Sequence, residues 1–383
     1  MEVSMKKFLS VVLALVLVLS LTAAAAEETI KIGSLCSLSK ETVAGEAYRN
    51  AEQLAVDEIN AAGGILGGIQ LQLVAEDAST DTDTAINACN KLLEDENVNI
   101  IVGPAFSTQG LAIEELCKEA ETPIIVTGTS PAFANLENEY LFRGRSSDTI
   151  MGGLAMTFIM NNLGMGEGST VGVLYNNNDF GVGGYGVICE YAEKNGITVV
   201  GEAYNVDDTD VTAQVTSLKN ANCDVLVIWS SGGAVPVAAR AIYEQGIECP
   251  VVGSAACGQN SVLATASEWI NGWYCVSDCV LTKQDDAIQK FVSDYTAKYG
   301  ADVLTYESAV AYSMVYLIAD AYERAGTTDA AAFLQALQGT TDTKVLIGTY
   351  HKYGNIDLFS GGAIGQIVDG TVQYISDVDT MLN

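Results

Sequence analysis

The chain has one histidine, His351, and only 18 lysines and arginines to set against 48 aspartates and glutamates. A histidine-built zinc site or a Ser–His–Asp triad would have to be assembled on that one residue, inside "GTYHKYGN". No G-x-S-x-G elbow occurs either, so nucleophilic hydrolysis lacks both its usual parts. A net charge of −30 excludes nucleic acid and anionic lipid as natural partners, because both are bound through basic patches. Such acidity leaves solubility and solvated helix faces as its plain meaning. Long apolar runs are also missing after the first 26 residues, so no second membrane span is expected.

The first 26 residues have their own pattern. Lys6 and Lys7 precede an apolar run from Phe8 to Leu21, followed by Thr22 and the alanines Ala23 to Ala26. This is the layout of a secretory signal cleaved near Ala26, and the run is shorter than the roughly 20 apolar residues of a membrane anchor. The mature protein is expected in the periplasm or outside the cell. Nine cysteines are many for an exported chain, and their odd number leaves at least one thiol without an intramolecular partner.

What the sequence has in abundance is alternation. Ile30 to Leu35 reads as a buried strand and Ala47 to Ala62 as a helix stopped by Gly63 and Gly64; Ile69 to Ala75 alternates as a second strand, giving a βαβ opening. Further strands read at Asn99–Val102, Ile124–Thr127, Val171–Tyr175, Thr198–Tyr204, Asp224–Trp229 and Pro250–Gly253. Helices read between them at Asp83–Leu93, Thr108–Ala120, Thr149–Asn162, Gly183–Asn195, Val211–Lys219 and Val235–Gln245. Three helices then follow in near succession before glycine-rich strands from Val345 to Ile375. The expectation is an α/β protein with parallel sheets, and 383 residues with 49% hydrophobic content suit two lobes better than one.

The opening stretch "IKIGSLCSLSKETVAGEAYRNAEQLAVDEINAAGGILGG" resembles the type I periplasmic binding proteins, the branched-chain amino-acid group in particular. That resemblance implies two doubly wound parallel-sheet lobes joined by a three-strand hinge. Crossovers would fall near Arg143–Ser147, Ser277–Leu281 and Lys344–Tyr350. Residues 27–143 with 282–343 would form the first lobe, and 144–281 with 344–383 the second. A ligand would lie between them, where the carboxyl ends of two open sheets face each other.

Ser107 opens a helix after a strand, so its hydroxyl and the free N–H groups from Thr108 onward make an anion site, although a serine there can equally be a plain cap. The resemblance gives this position the ligand's α-carboxylate, and gives Thr127 a backbone contact and Thr129 a hydroxyl and N–H; a polar turn before Pro131 is the other reading. On the second lobe it implies Phe180 as a cover over the ligand and Trp229 and Ser231 as pocket lining, with Cys257 on the next cleft loop. Amino-acid binders carry an acid near Ala255 or Ala256 to accept the ligand's ammonium. None is present, so either Asp179 or Glu307 replaces it, or the ligand is a small aromatic or aliphatic carboxylate without an amino group. Gly181, Gly183 and Gly186 spell a dinucleotide fingerprint, but "NNNDF" intervenes where the strand should meet the first glycine.

The implied function is that of a monomeric solute-binding protein of an ATP-driven importer (ABC transporter), delivering a carboxylate-bearing small molecule to a membrane permease; a ligand-sensing receptor domain is the alternative. No catalysis, cofactor or metal is expected. Cys223 and Cys249 each precede one of two strands expected side by side, so a disulfide between them and a pair of buried thiols carry equal weight.

Overall fold

The computed structural model describes residues 29–377, so the expected signal segment lies outside the described residues. The first sheet is built from β1 (Thr29–Cys36), β2 (Gln70–Asp77), β3 (Ile100–Val102), β4 (Ile124–Val126) and β5 (Leu141–Arg143), in the order β2-β1-β3-β4-β5. All four pairings are parallel, with Ile32 opposite both Leu73 and Ile100. Buried Ile and Val on both faces of β3 and β4 explain why these strands read as continuous apolar runs. Between the strands run α1 (Thr42–Ala61), α2 (Thr82–Asn90) and α3 (Ser107–Glu119). Helix α1 buries Ala47, Tyr48, Ala51, Leu54 and Ala55, a stripe at helical spacing. Gly64 ends the reversal after it: φ is +76°, and a Cβ would stand 2.3 Å from the Ile69 carbonyl oxygen.

The second lobe starts with α4 (Asp148–Asn161), then β6 (Thr170–Asn176), α5 (Asp179–Lys194), β7 (Thr198–Tyr204), α6 (Thr212–Asn220), β8 (Val225–Trp229), α7 (Val235–Glu244), β9 (Val251–Gly253), α8 (Asn260–Ile270) and β10 (Tyr274–Ser277). The chain then returns to the first lobe with α9 (Asp286–Tyr299), α10 (Tyr306–Ala325) and α11 (Ala330–Gln338). Helix α10 packs along α1, and Val310, Met314, Leu317 and Ile318 are wholly buried there. Each such side chain contributes about 1.5–3 kcal/mol of burial.

The third crossover lies later than the sequence suggested. Thr343–Val345 (β11) and Gly348–Tyr350 (β12) form a hairpin rather than a bridge between lobes. Tyr350 is buried in the first lobe's core, with its hydroxyl donating to the Gly144 carbonyl at 2.7 Å, and Leu358 and Phe359 join the same core. Burying these large side chains holds the chain on the first lobe up to Phe359. Only β13 (Ala363–Val368) and β14 (Thr371–Asp377) then complete the second sheet, in the order β14-β13-β10-β9-β8-β6-β7. Strand β13 is antiparallel to β10, so this sheet is mixed at one edge.

The three crossovers are tied to one another. Ser146 exchanges hydrogen bonds with Gly361, its hydroxyl donating to the carbonyl at 2.6 Å and accepting from the amide at 2.9 Å. Asp278 accepts from the Ser146 amide at 3.1 Å and pairs with Arg145 at 2.5 Å. All nine cysteines are free thiols; Cys223 and Cys249 share the second lobe's core without a bridge, and the thiols of Cys89 and Cys117 approach to 3.8 Å.

Candidate ligand-binding cleft

A cavity of about 600 Å³ opens between the lobes at the carboxyl ends of both sheets. Strand β3 delivers Ser107 to its wall as the first residue of α3; Phe106 before it is extended, with ψ 130°, so the helix begins abruptly at the cavity. The first N–H groups of α3 have no acceptor within the helix, the first closing bond being Gly110 N–H to the Phe106 carbonyl at 3.0 Å. The Ser107 hydroxyl accepts from the Ser130 amide at 3.1 Å, which leaves its own proton free to donate. Gly128 permits this approach, since a Cβ there would stand 2.8 Å from Ser107 Cα.

Thr127 and Thr129 also line the cavity, at the end of β4. The Thr127 hydroxyl is already committed to the Pro104 carbonyl at 3.2 Å. The Thr129 carbonyl is held from behind by the Asp148 amide at 2.8 Å and by Arg143 Nη1 at 2.7 Å. Arg143 itself is fully buried and paired to Asp357 at 2.9 Å. This buried guanidinium fixes the loop from Thr129 to Ser130 as the wall facing α3.

Opposite stand Asn178, Phe180, Ser231, Gly232 and Gln259 of the second lobe. Phe180 is half-buried and rests on Trp229, ring centroids 6.2 Å apart. Ser231 donates to Asn176 Oδ1 at 2.9 Å. Two expected wall residues are not in the wall. Trp229 lies beneath it at 1% exposure, its indole N–H donating to Asp148 at 3.2 Å. Cys257 is turned into the second lobe's core, its sulfur so close to Gly253 that a Cβ there would stand at 2.3 Å. Both are apolar or weakly polar groups for which core burial outweighs a place facing water.

The profile of the periplasmic binding protein family matches residues 29–359, nearly the whole described chain. The chain belongs to that family. The leucine-, isoleucine-, valine-, threonine- and alanine-binding protein of Pseudomonas aeruginosa is 25% identical to it over 299 residues, covering 78% of each chain. The Leu/Ile/Val-binding protein BraC3 of Rhizobium johnstonii is 26% identical over 347 residues, covering 86% of this chain and 90% of its own. The solved structure of the branched-chain amino acid transporter substrate-binding protein LivJ of Streptococcus pneumoniae, in complex with isoleucine, is similar with a TM-score of 0.82 at 26% identity, covering 92% of this chain and 99% of that one. Such family members bind solutes rather than catalyse reactions.

Within this periplasmic binding protein the cavity is richer in acid than the sequence reading anticipated. Glu307 lines it, whereas Asp179, the other acid considered, is exposed at the start of α5 and does not. Burial raises the Glu307 carboxyl to about 7, against the pull of the Arg145 guanidinium and the Gln259 hydrogen bond. Glu52, at the cavity floor, is raised by burial to about 8 while accepting from the Ser34 hydroxyl at 2.5 Å. Burial also raises Glu41, which takes a hydrogen bond from the Gly233 amide at 3.3 Å. Glu41, Glu52, Tyr48, Arg145 and Gln259 were not foreseen as site residues. Glu52 left a signal, being four residues from Tyr48 on the apolar stripe of α1, where a charge has no place unless it faces a cavity. Gln259 left none beyond standing two residues past Cys257. Among the described residues no group of three or more His, Cys, Asp or Glu could hold a metal ion.

Proposed function

We propose that the protein captures a branched-chain or closely related amino acid in the interlobe cavity and delivers it to the membrane permease of an ATP-driven importer. The observation that carries this reading is the pairing of an anion site with an aromatic cover across one cavity. The open N-terminus of α3 and the Ser107 hydroxyl suit a carboxylate. Phe180 and the neighbouring apolar atoms suit a small aliphatic side chain. The Pseudomonas and Rhizobium relatives are named for such ligands and the pneumococcal one is bound to isoleucine, which supports the same choice here. Ser107, Thr108 and Thr129 would hold the carboxylate, Thr127 would offer backbone, and Phe180 with Ser231 would close from the other side. Delivery to a permease requires export, and the lysine-led apolar run at residues 6–26 supports that.

A second reading, a small carboxylate without an amino group, is favoured by the alanines at 255 and 256, where an acid would otherwise receive the ammonium. A thermal-shift screen over the common amino acids and their deaminated analogues separates the two. Branched-chain amino acids should raise the unfolding temperature most, following the mass-action stabilisation of a bound native state. Stabilisation by the analogues alone would establish the second reading instead.

A further inference from the structure

We propose that Gln259, Glu307 and Glu41 form a cation subsite that receives the ligand's ammonium and joins the two lobes across it. The proposal rests on the amino-acid reading above and names the residues that replace the missing acid. Gln259 comes from the second lobe, just ahead of α8, and is 5% exposed. Its side chain crosses to the first lobe, Nε2 donating to Glu307 Oε1 at 2.8 Å. With the Nε2 end donating to Glu307, the oxygen end of the amide faces the other way. Oε1 is therefore turned away from Glu307, and it is buried without any hydrogen-bond partner while the residue lines the cavity. A buried, unpaired acceptor is costly unless a donor arrives. A ligand's ammonium is such a donor.

The loop beneath is shaped for this amide. At Gly232 a Cβ would stand 1.7 Å from Gln259 Oε1, so only glycine leaves room. The next residue, Gly233, donates its amide to Glu41 Oε1 at 3.3 Å, which brings a second first-lobe carboxylate to the same short turn. Gln259 Oε1 and Glu41 thus converge on Gly232 and Gly233, with Glu307 bonded to the other end of the glutamine amide. The two carboxylates also repel: Glu41 is among the groups that push the Glu307 carboxyl upward, after burial itself. Arg145 acts on Glu307 through space, but the salt bridge of its guanidinium goes to Asp278 at 2.5 Å and not to either glutamate. Lys40 is exposed at the rim. An ammonium offers three N–H donors and one positive charge to three acceptors, two of them buried carboxyls whose ionised form a neighbouring cation favours. Two acceptors belong to the first lobe and one to the second, so a seated ammonium is also a clasp between lobes.

The test is isothermal titration of the full mature protein with leucine and with 4-methylpentanoate, which is leucine without its amino group. Wild type should bind leucine at least tenfold more tightly than the analogue. Glu307→Gln and Gln259→Leu should each cut that ratio at least tenfold through loss of leucine affinity, leaving 4-methylpentanoate nearly unchanged. The second variant keeps the carboxylate and the first keeps the shape, so one remains informative if the other fails to fold. Wild type that binds leucine without discriminating it from the analogue would overturn the subsite alone. So would variants that weaken both ligands equally, since that marks a structural role. Wild type that binds no amino acid at all would overturn the amino-acid reading, and the subsite with it.

Discussion

Ser107→Ala removes one hydroxyl that faces two ways, and the two effects separate experimentally. Toward the cavity the hydroxyl proton is free, and a hydrogen bond to a carboxylate is worth about 1.5–3 kcal/mol. At ~1.4 kcal/mol per tenfold, leucine affinity should fall by roughly 10- to 150-fold. Toward the protein the same oxygen accepts from the Ser130 amide at 3.1 Å, and Ser130 is 2% exposed. Its loss strands a buried N–H at a cost of about 1–3 kcal/mol, so the unfolding midpoint should also drop, by roughly 2–4 °C per kcal/mol for a lobe of this size. Titration calorimetry with leucine and with leucinamide, whose carboxylate is masked, isolates the first effect. Wild type should prefer leucine, and Ser107→Ala should lose most of that preference while binding leucinamide nearly as before. An unchanged ratio of the two affinities would refute carboxylate capture by this hydroxyl, and unchanged affinity for leucine would remove Ser107 from the site.

Three further outcomes follow from the packing and the charges. Gly184→Ala would bring a Cβ to 2.0 Å from the Trp229 indole nitrogen inside α5, so overpacking should cost about 1–3 kcal/mol, read as a lower urea midpoint with an unchanged slope. Asp278→Ala leaves Arg145 buried without its counter-ion and the Ser146 amide without its acceptor, and should cost about 3–5 kcal/mol in denaturant unfolding; stability equal to wild type would show that the crossovers do not depend on this pair. Glu52 has its carboxyl raised by burial from 4.5 to about 8, so the folded protein keeps a proton that the unfolded chain releases. Its contribution is complete below about pH 4.5 and is lost as pH rises through 8, so Glu52→Gln should flatten the decline in stability measured between pH 5 and 8.

Much of the scaffold was legible because it depends on local patterns. The α1 stripe, the Gly63–Gly64 stop and the start of α3 stand within a few residues of where periodicity puts them, although Ser107 is the first helical residue and its hydroxyl does not cap the helix. The first two crossovers were legible for the same reason, each following a short buried strand, β5 and β10. The third was not, since what decides it is the burial of Tyr350, Leu358 and Phe359 against helices far away in sequence. In the site, position at a strand's carboxyl end identified loops that line the cavity but not the direction of each side chain. Thus Phe180 and Ser231 reach the cavity, while Trp229 and Cys257, on neighbouring positions, turn into the core. The Gln259–Glu307 bond spans 48 positions and the Gly233–Glu41 bond 192, and no local pattern records such pairings.

Arg145 bears on where the ligand's carboxylate should go. It is the cavity's buried guanidinium, within 5.2 Å of the Tyr306 ring, and a free arginine there would attract a carboxylate more strongly than a serine. Asp278 removes that competition by pairing with it, and in doing so fastens the first crossover to the second. On the proposed reading, an anion is then left to the α3 N-terminus and Ser107, while Glu41 and Glu307 have no salt bridge of their own to Arg145. A zwitterion bound as proposed would have its orientation set by the walls, carboxylate to α3 and ammonium toward the Gly232–Gly233 turn. Asp278→Ala should therefore do more than destabilise. By freeing Arg145 it should raise affinity for 4-methylpentanoate relative to leucine, and a ratio equal to wild type in folded protein would show that Arg145 does not compete for the carboxylate.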